Sequence, residues 1–151
     1  MHQLRYERLE VRELFAEELL LALPPGHPLT RKRALNTADL EGERLIVMKE
    51  SHCLGDQVLW FCDRRHVKAT ISFRSAQLET IQSLVRAGLG ISLIPQMAAR
   101  ADRGDLPEYR SLPAPKPIRK IAAVWPKQRP PGRGANEFLK TLAACAARFR
   151  H

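Results

Sequence analysis

Two of the chain's three cysteines stand nine residues apart, in the stretch His52-Cys53-Leu54-Gly55-Asp56-Gln57-Val58-Leu59-Trp60-Phe61-Cys62. A thiol reacts as its thiolate, so whatever stabilises negative charge on sulfur decides its chemistry. The residues from Cys53 onward read as a helix, which places Cys53 where unpaired amides and the positive end of the helix dipole favour a thiolate. His52 is positioned to hydrogen-bond an oxidant or, if protonated, to stabilise that thiolate. Asp56 falls about one turn along, on the same side of the helix. As a carboxylate it opposes a neighbouring thiolate but can accept a hydrogen bond or a proton from a bound hydroxylic ligand. Cys53 and Cys62 are therefore the candidate reactive residues, and His52 and Asp56 the candidate ligand-binding ones.

The spacing itself carries information. At about 1.5 Å of rise per residue, an intact helix holds the two cysteines roughly 13 Å apart. A disulfide needs Cα atoms within about 7 Å. Should Cys53 and Cys62 bond, the segment between them must unwind, and a sulfenic acid on Cys53 would be the intermediate that Cys62 resolves. The plainer alternative stays open on residue grounds. Cys62 follows Phe61 on an apolar face, where a buried cysteine packs as a small hydrophobe, and Cys53 is inert unless it is exposed. Cys145, in an Ala-rich helix, is expected in the core, and His66 is expected on the surface.

Other chemistries find less support. Nine residues is not the short spacing of a zinc knuckle, and no second ligand pair follows, so neither a metal nor a cofactor is expected. Ser-His-Asp and phosphate-loop signatures are missing. The net charge of +9, from 25 Lys and Arg against 16 Asp and Glu, permits attraction to nucleic acid. Its basic residues are scattered, however, and accompany no helix-turn-helix, zinc-finger or aromatic RNA-binding motif, which favours a solvated basic surface. No apolar run of about 18 residues predicts a membrane span. Met1 to Val11 is charged throughout and lacks the apolar core of a signal peptide. The cytoplasm is the expected compartment, where a cysteine pair is more often reactive than structural.

The elements that must hold the cysteine stretch follow from periodicity. Leu9 and Val11 alternate with charged residues as a short strand. Glu18 to Leu23 reads as a buried strand, ended by Pro24-Pro25-Gly26. Thr37 to Leu40 is a short helix capped by Asn36 or Thr37 and closed by Gly42. Arg44 to Lys49 is a strand running directly into the cysteine segment, and His66 to Phe73 is the strand after it. Leu78, Ile81, Leu84 and Val85 mark an amphipathic helix ending at Gly88. Gly90 to Ile94 is a strand stopped by Pro95, and Met97 to Asp102 a helical segment. Leu106 to Pro117 reads as a proline-rich, turn-forming crossover or hinge. Ile118 to Trp125 is a strand, and Phe138, Leu142, Cys145 and Phe149 would line one face of a C-terminal helix. Strands alternating with helices predict an α/β layered fold.

The cysteine stretch resembles the redox segment of the OxyR-type peroxide sensors, within the LysR-type transcriptional regulators. The resemblance extends to both sides. Gly26-His27-Pro28 is similar to the turn entering the second regulatory lobe. Asp39-Leu40 with Gly42-Glu43 and Leu45 is similar to the helix before the redox segment. Leu78-Glu79-Thr80-Ile81 and Ala87-Gly88 with Gly90-Ile91 and Ile94-Pro95 resemble the helix-strand unit of LysR regulatory domains. The resemblance covers roughly residues 6 to 149. Its Ala-Gly-x-Gly-Ile part is general to the superfamily, and its His-Cys-Leu-x-Asp-Gln part is more specific.

The resemblance implies a periplasmic-binding-protein-like LysR effector-binding domain, with the second lobe complete and the first partial. Residues 1–18 and 116–151 would belong to the first lobe and residues 19–115 to the second, which carries the redox segment. It further implies that Cys53 reacts with hydrogen peroxide, that Cys62 closes the disulfide, and that His52 and Asp56 surround the peroxide. The implied partners are a second copy, as homodimer or homotetramer, and DNA through a helix-turn-helix domain that this chain lacks. Ser51 stands where such sensors carry Gly, and Trp60 puts a bulky side chain into the segment that must unwind. A LysR-type domain binding a small metabolite, with silent cysteines, and a thiol-dependent peroxidase are the competing expectations.

Overall fold

The computed structural model describes residues 8–49, 53–101 and 107–146. The chain divides into two compact units, residues 18–118 and residues 1–17 with 119–151.

The larger unit is built on strands whose side chains alternate between two apolar layers. Strand β1 (Leu9–Leu23) pairs antiparallel with β4 (Ser92–Pro95), Leu21 opposite Leu93, and with β5 (Glu108–Arg110), Ala22 opposite Tyr109. Strand β2 (Arg44–Met48) pairs in parallel with β3 (Thr70–Ser75). The amide of Ile46 donates to the Ile91 carbonyl and that of Ile91 to the Arg44 carbonyl, both at 2.8 Å, which places the residues just before β4 along β2. On β2, Leu45 and Val47 enter one apolar cluster, shared with Leu54, Val58, Phe61 and Cys62. Ile46 enters the other, with Ile81 and Val85. Leu93 and Ile94 divide in the same way on β4. This period of two is what a strand covered on both faces requires.

Helix α1 (Cys53–Arg64) supplies the first layer, and α2 (Leu78–Arg86) the second. Helix α2 ends where Gly88 adopts φ +79°, and the amides of Gly88 and Leu89 turn back to the carbonyls of Val85 and Leu84. A residue without Cβ takes that conformation at little cost. A short helix α3 (Gln96–Ala101) follows β4.

In the smaller unit, strand β6 (Ile118–Pro126) pairs with β1, and helix α4 (Arg133–Ala146) follows. Arg119 contacts the buried Glu17 carboxylate at 2.6 Å.

Several expectations shift. Leu9–Val11 and Glu18–Leu23 are one strand of 15 residues, because Leu14 and Glu17 are also buried along it. Thr37–Leu40 is a single 3-10 turn. Asn36 Oδ1 accepts from the Asp39 amide, and Asp39 Oδ2 accepts from the Asn36 amide, each at 3.0 Å. The strand expected from His66 starts only at Thr70, since His66 adopts φ +54° and closes the preceding helix. The crossover expected to be turn-forming also contains a short strand, β5. The inward stripe of α4 is offset by one residue. Leu139 and Ala146 are buried, whereas Phe138 is 63% exposed, and Cys145 is exposed rather than core. The stripe Leu139, Leu142, Ala143, Ala146 satisfies helical spacing equally well.

Candidate redox site

Helix α1 begins at Cys53 and carries both candidate sulfurs. Its sequence explains the placement. Leu54, Val58, Phe61 and Cys62 recur at helical spacing and are buried in one cluster. Gly55 has no side chain to separate the first turn from the end of β2. Asp56 in the first turn and Arg64 in the last complement the helix dipole.

The two sulfurs lie in contrasting surroundings. Cys53 is exposed and Cys62 is buried, and both are free thiols. Burial pushes the Cys62 thiol up from its ordinary value, because the apolar cluster penalises the charged form. The continuous helix keeps the two residues roughly 13 Å apart by its rise alone. No disulfide is possible in this conformation.

The end of α1 that holds Cys62 is fixed by several contacts. The Cys62 carbonyl accepts from the amides of Val67 at 2.9 Å and Arg65 at 3.2 Å. Arg65 Nη2 donates to the Pro115 carbonyl at 2.7 Å. Its guanidinium also sits 6.0 Å from the Phe61 ring centroid, and that of Arg64 sits 4.8 Å from the Trp60 ring centroid.

Of the ligand-binding candidates, Asp56 is exposed and lies three residues after Cys53 on α1. Residues three apart on a helix are neighbours, so the carboxylate and the thiol share a side. His52 lies outside the described residues. Sequence reasoning assigned no role to Gln57, four residues after Cys53. Its Oε1 is buried and has no hydrogen-bond partner among the described residues. A buried acceptor left unpaired is costly and points to a missing donor. The signal was present as a polar amide among Leu54, Val58 and Phe61, at helical spacing from the cysteine. His66 is exposed, as its neighbours suggested. Among the described residues no group of three or more His, Cys, Asp or Glu could hold a metal ion. No helix among them is long and apolar enough to cross a membrane.

Comparison with known proteins bears on this arrangement. The LysR substrate binding domain family matches residues 1–146. The chain is 37% identical over 113 residues to the DNA-binding transcriptional dual regulator OxyR of Escherichia coli, covering 74% of this chain and 37% of that protein. It is 40% identical over 115 residues to a probable hydrogen peroxide-inducible genes activator of Mycobacterium avium, covering 74% of this chain and 37% of the relative. The chain thus spans little more than a third of the length of these curated relatives. Among solved structures it resembles the reduced form of the OxyR regulatory domain of Pseudomonas aeruginosa, with a TM-score of 0.77 and 26% identity over 95% of this chain and 70% of that one. A crystal structure of the reduced form of OxyR superposes with a TM-score of 0.72 at 31% identity, over 94% of this chain and 65% of that one. The α/β architecture, the two-layered strands and these matches agree, and the chain belongs to the LysR substrate binding domain family, with the periplasmic-binding-protein-like fold of that family.

Proposed function

We propose that this chain is the peroxide-sensing part of an OxyR-like LysR-type transcriptional regulator, acting in the cytoplasm. The observation that carries the reading is one helix bearing an exposed thiol at its first residue and a buried thiol nine residues later. Kinship with hydrogen peroxide-inducible genes activators supports it.

In this reading the Cys53 thiolate attacks one oxygen of hydrogen peroxide. The S–O bond forms as the O–O bond breaks, leaving a sulfenic acid on Cys53 and releasing hydroxide. The Cys62 sulfur then attacks the Cys53 sulfur as its thiol proton passes to the departing oxygen. An S–S bond replaces the S–O bond, and water leaves. His52 and Asp56 hold the peroxide, Asp56 by accepting a hydrogen bond from its second hydroxyl. The second step requires α1 to unwind, since its ends are too far apart to bond. That refolding is the signal, passed on through a homodimer or homotetramer to a helix-turn-helix domain of the whole regulator.

Mass spectrometry of the reduced chain after micromolar peroxide tests the reading. A Cys53–Cys62 disulfide is expected, with Cys53→Ser unreactive and Cys62→Ser stopping at the sulfenic acid. Retention of all three thiols, or an equally abundant intramolecular disulfide in Cys62→Ser, overturns it.

A further inference from the structure

Trp60 is an odd residue for its position. It lies between the two sulfurs on α1, yet it is 58% exposed and adds little to the core. An exposed aromatic is also a poorer helix former than Ala. Its ring is met by Arg64, four residues on, whose guanidinium stands 4.8 Å from the ring centroid. That spacing brings side chains together only while the backbone is helical. Phe61 and Arg65 repeat the pairing one residue later at 6.0 Å, on the buried side.

From these contacts we propose that Trp60 and Arg64 form a brake on the unwinding of α1, and so set how long Cys53 persists as a sulfenic acid before Cys62 closes the disulfide. The proposal rests on the peroxide reading above. The stacked pair exists in the helix and is lost when the segment extends. It therefore stabilises the starting state of the closure step relative to its transition state. Attack on peroxide occurs at Cys53, seven residues and roughly 10 Å of helix away, before any unwinding. The pair should leave that step untouched. Trp60 and Arg64 are positioning residues, since neither touches the reacting sulfur.

The two steps can be timed separately in the full chain mixed with equimolar peroxide. Loss of the Cys53 thiol reports the first step, and appearance of the disulfide in acid-quenched samples reports the second. Trp60→Ser, which keeps a similar helix propensity, and Arg64→Ala should each speed disulfide closure by about two- to five-fold, the range expected for an exposed cation–π contact. The rate of thiol loss should stay unchanged. The double variant should close no faster than the quicker single one, and Arg64→Lys should fall between parent and Arg64→Ala. Sulfenic acid trapped by dimedone should decrease in step. In the reduced chain, hydrogen exchange of the amides from Gln57 to Arg64 should quicken in Trp60→Ser. Closure rates equal to or below the parent's, or additive effects of the two substitutions, overturn the brake while leaving the peroxide reading intact. Failure of the parent chain to lose the Cys53 thiol overturns the peroxide reading and the brake with it.

Discussion

Gly55 lies so close to Met48 that a β-carbon on it would stand 2.5 Å from the Met48 carbonyl oxygen and 3.2 Å from that of Lys49. The first turn of the redox helix thus rests directly on the backbone at the end of the strand before it. Nothing larger than hydrogen fits without moving either the helix or the strand. Gly55→Ala should therefore destabilise the chain by about 1–3 kcal/mol, the usual cost of overpacking. A lower urea midpoint with an unchanged slope is the expected result. Unchanged stability would mean that the helix does not seat on β2 in this way.

The contrast between the cysteines predicts an order of chemical labelling. Cys53 and Cys145 are exposed and Cys62 is buried. In the reduced chain at neutral pH, iodoacetamide should modify Cys62 at least about tenfold more slowly than the other two. Burial favours the neutral thiol, so the folded state holds its proton to higher pH than the unfolded one. Stability linked to that proton is complete below the unfolded value and declines as pH rises through it. Labelling of Cys62 should accordingly catch up in alkaline buffer or in denaturant. Mass spectrometry of tryptic peptides over a time course checks this.

The Thr37–Leu40 turn before β2 is held by a reciprocal cap between Asn36 and Asp39. Asn36→Ala should cost about 1 kcal/mol, the typical loss for such a cap. The ammonium of Lys32, bonded to Asp39 at 2.6 Å, and the Asn36 amide hold the Asp39 carboxyl below the usual carboxylate range. An acid whose folded value is depressed stabilises the fold above its unfolded value and loses that contribution as pH falls through the folded one. Stability should therefore drop below about pH 4 in the parent and less steeply in Lys32→Ala. Denaturant titrations across the acid range measure the difference.

Two ion pairs along β1 should differ in worth. Glu17 is almost wholly buried against Arg119, whereas the Glu13 and Lys120 side chains are 49% and 69% exposed. Arg119→Ala removes the cation from a buried carboxylate and should cost about 3 kcal/mol. Lys120→Ala should change stability by at most about 0.5 kcal/mol. Thermal or urea unfolding of both variants at one ionic strength separates them, and equal effects would contradict the burial of Glu17.

What could be read from residues alone was whatever depends on local periodicity. The β-branched Ile46 and Val47 at the centre of Arg44 to Lys49 foretold a strand, and the apolar spacing of Val58, Leu59, Phe61 and Cys62 foretold a helix starting near Cys53 or Leu54. The nine-residue interval already dictated that a helical segment cannot bridge its own cysteines. Residue types could not tell which of two equally spaced stripes on α4 turns inward, because Phe138 and Leu139 both satisfy the period. They could not find β5, whose three residues lie among prolines and pair only with distant β1. Nor could they tell a buried Cys62 from an exposed one, or show that Gln57 carries an unpaired acceptor. Burial is set by what packs opposite a residue, and those partners come from chain segments tens of positions away.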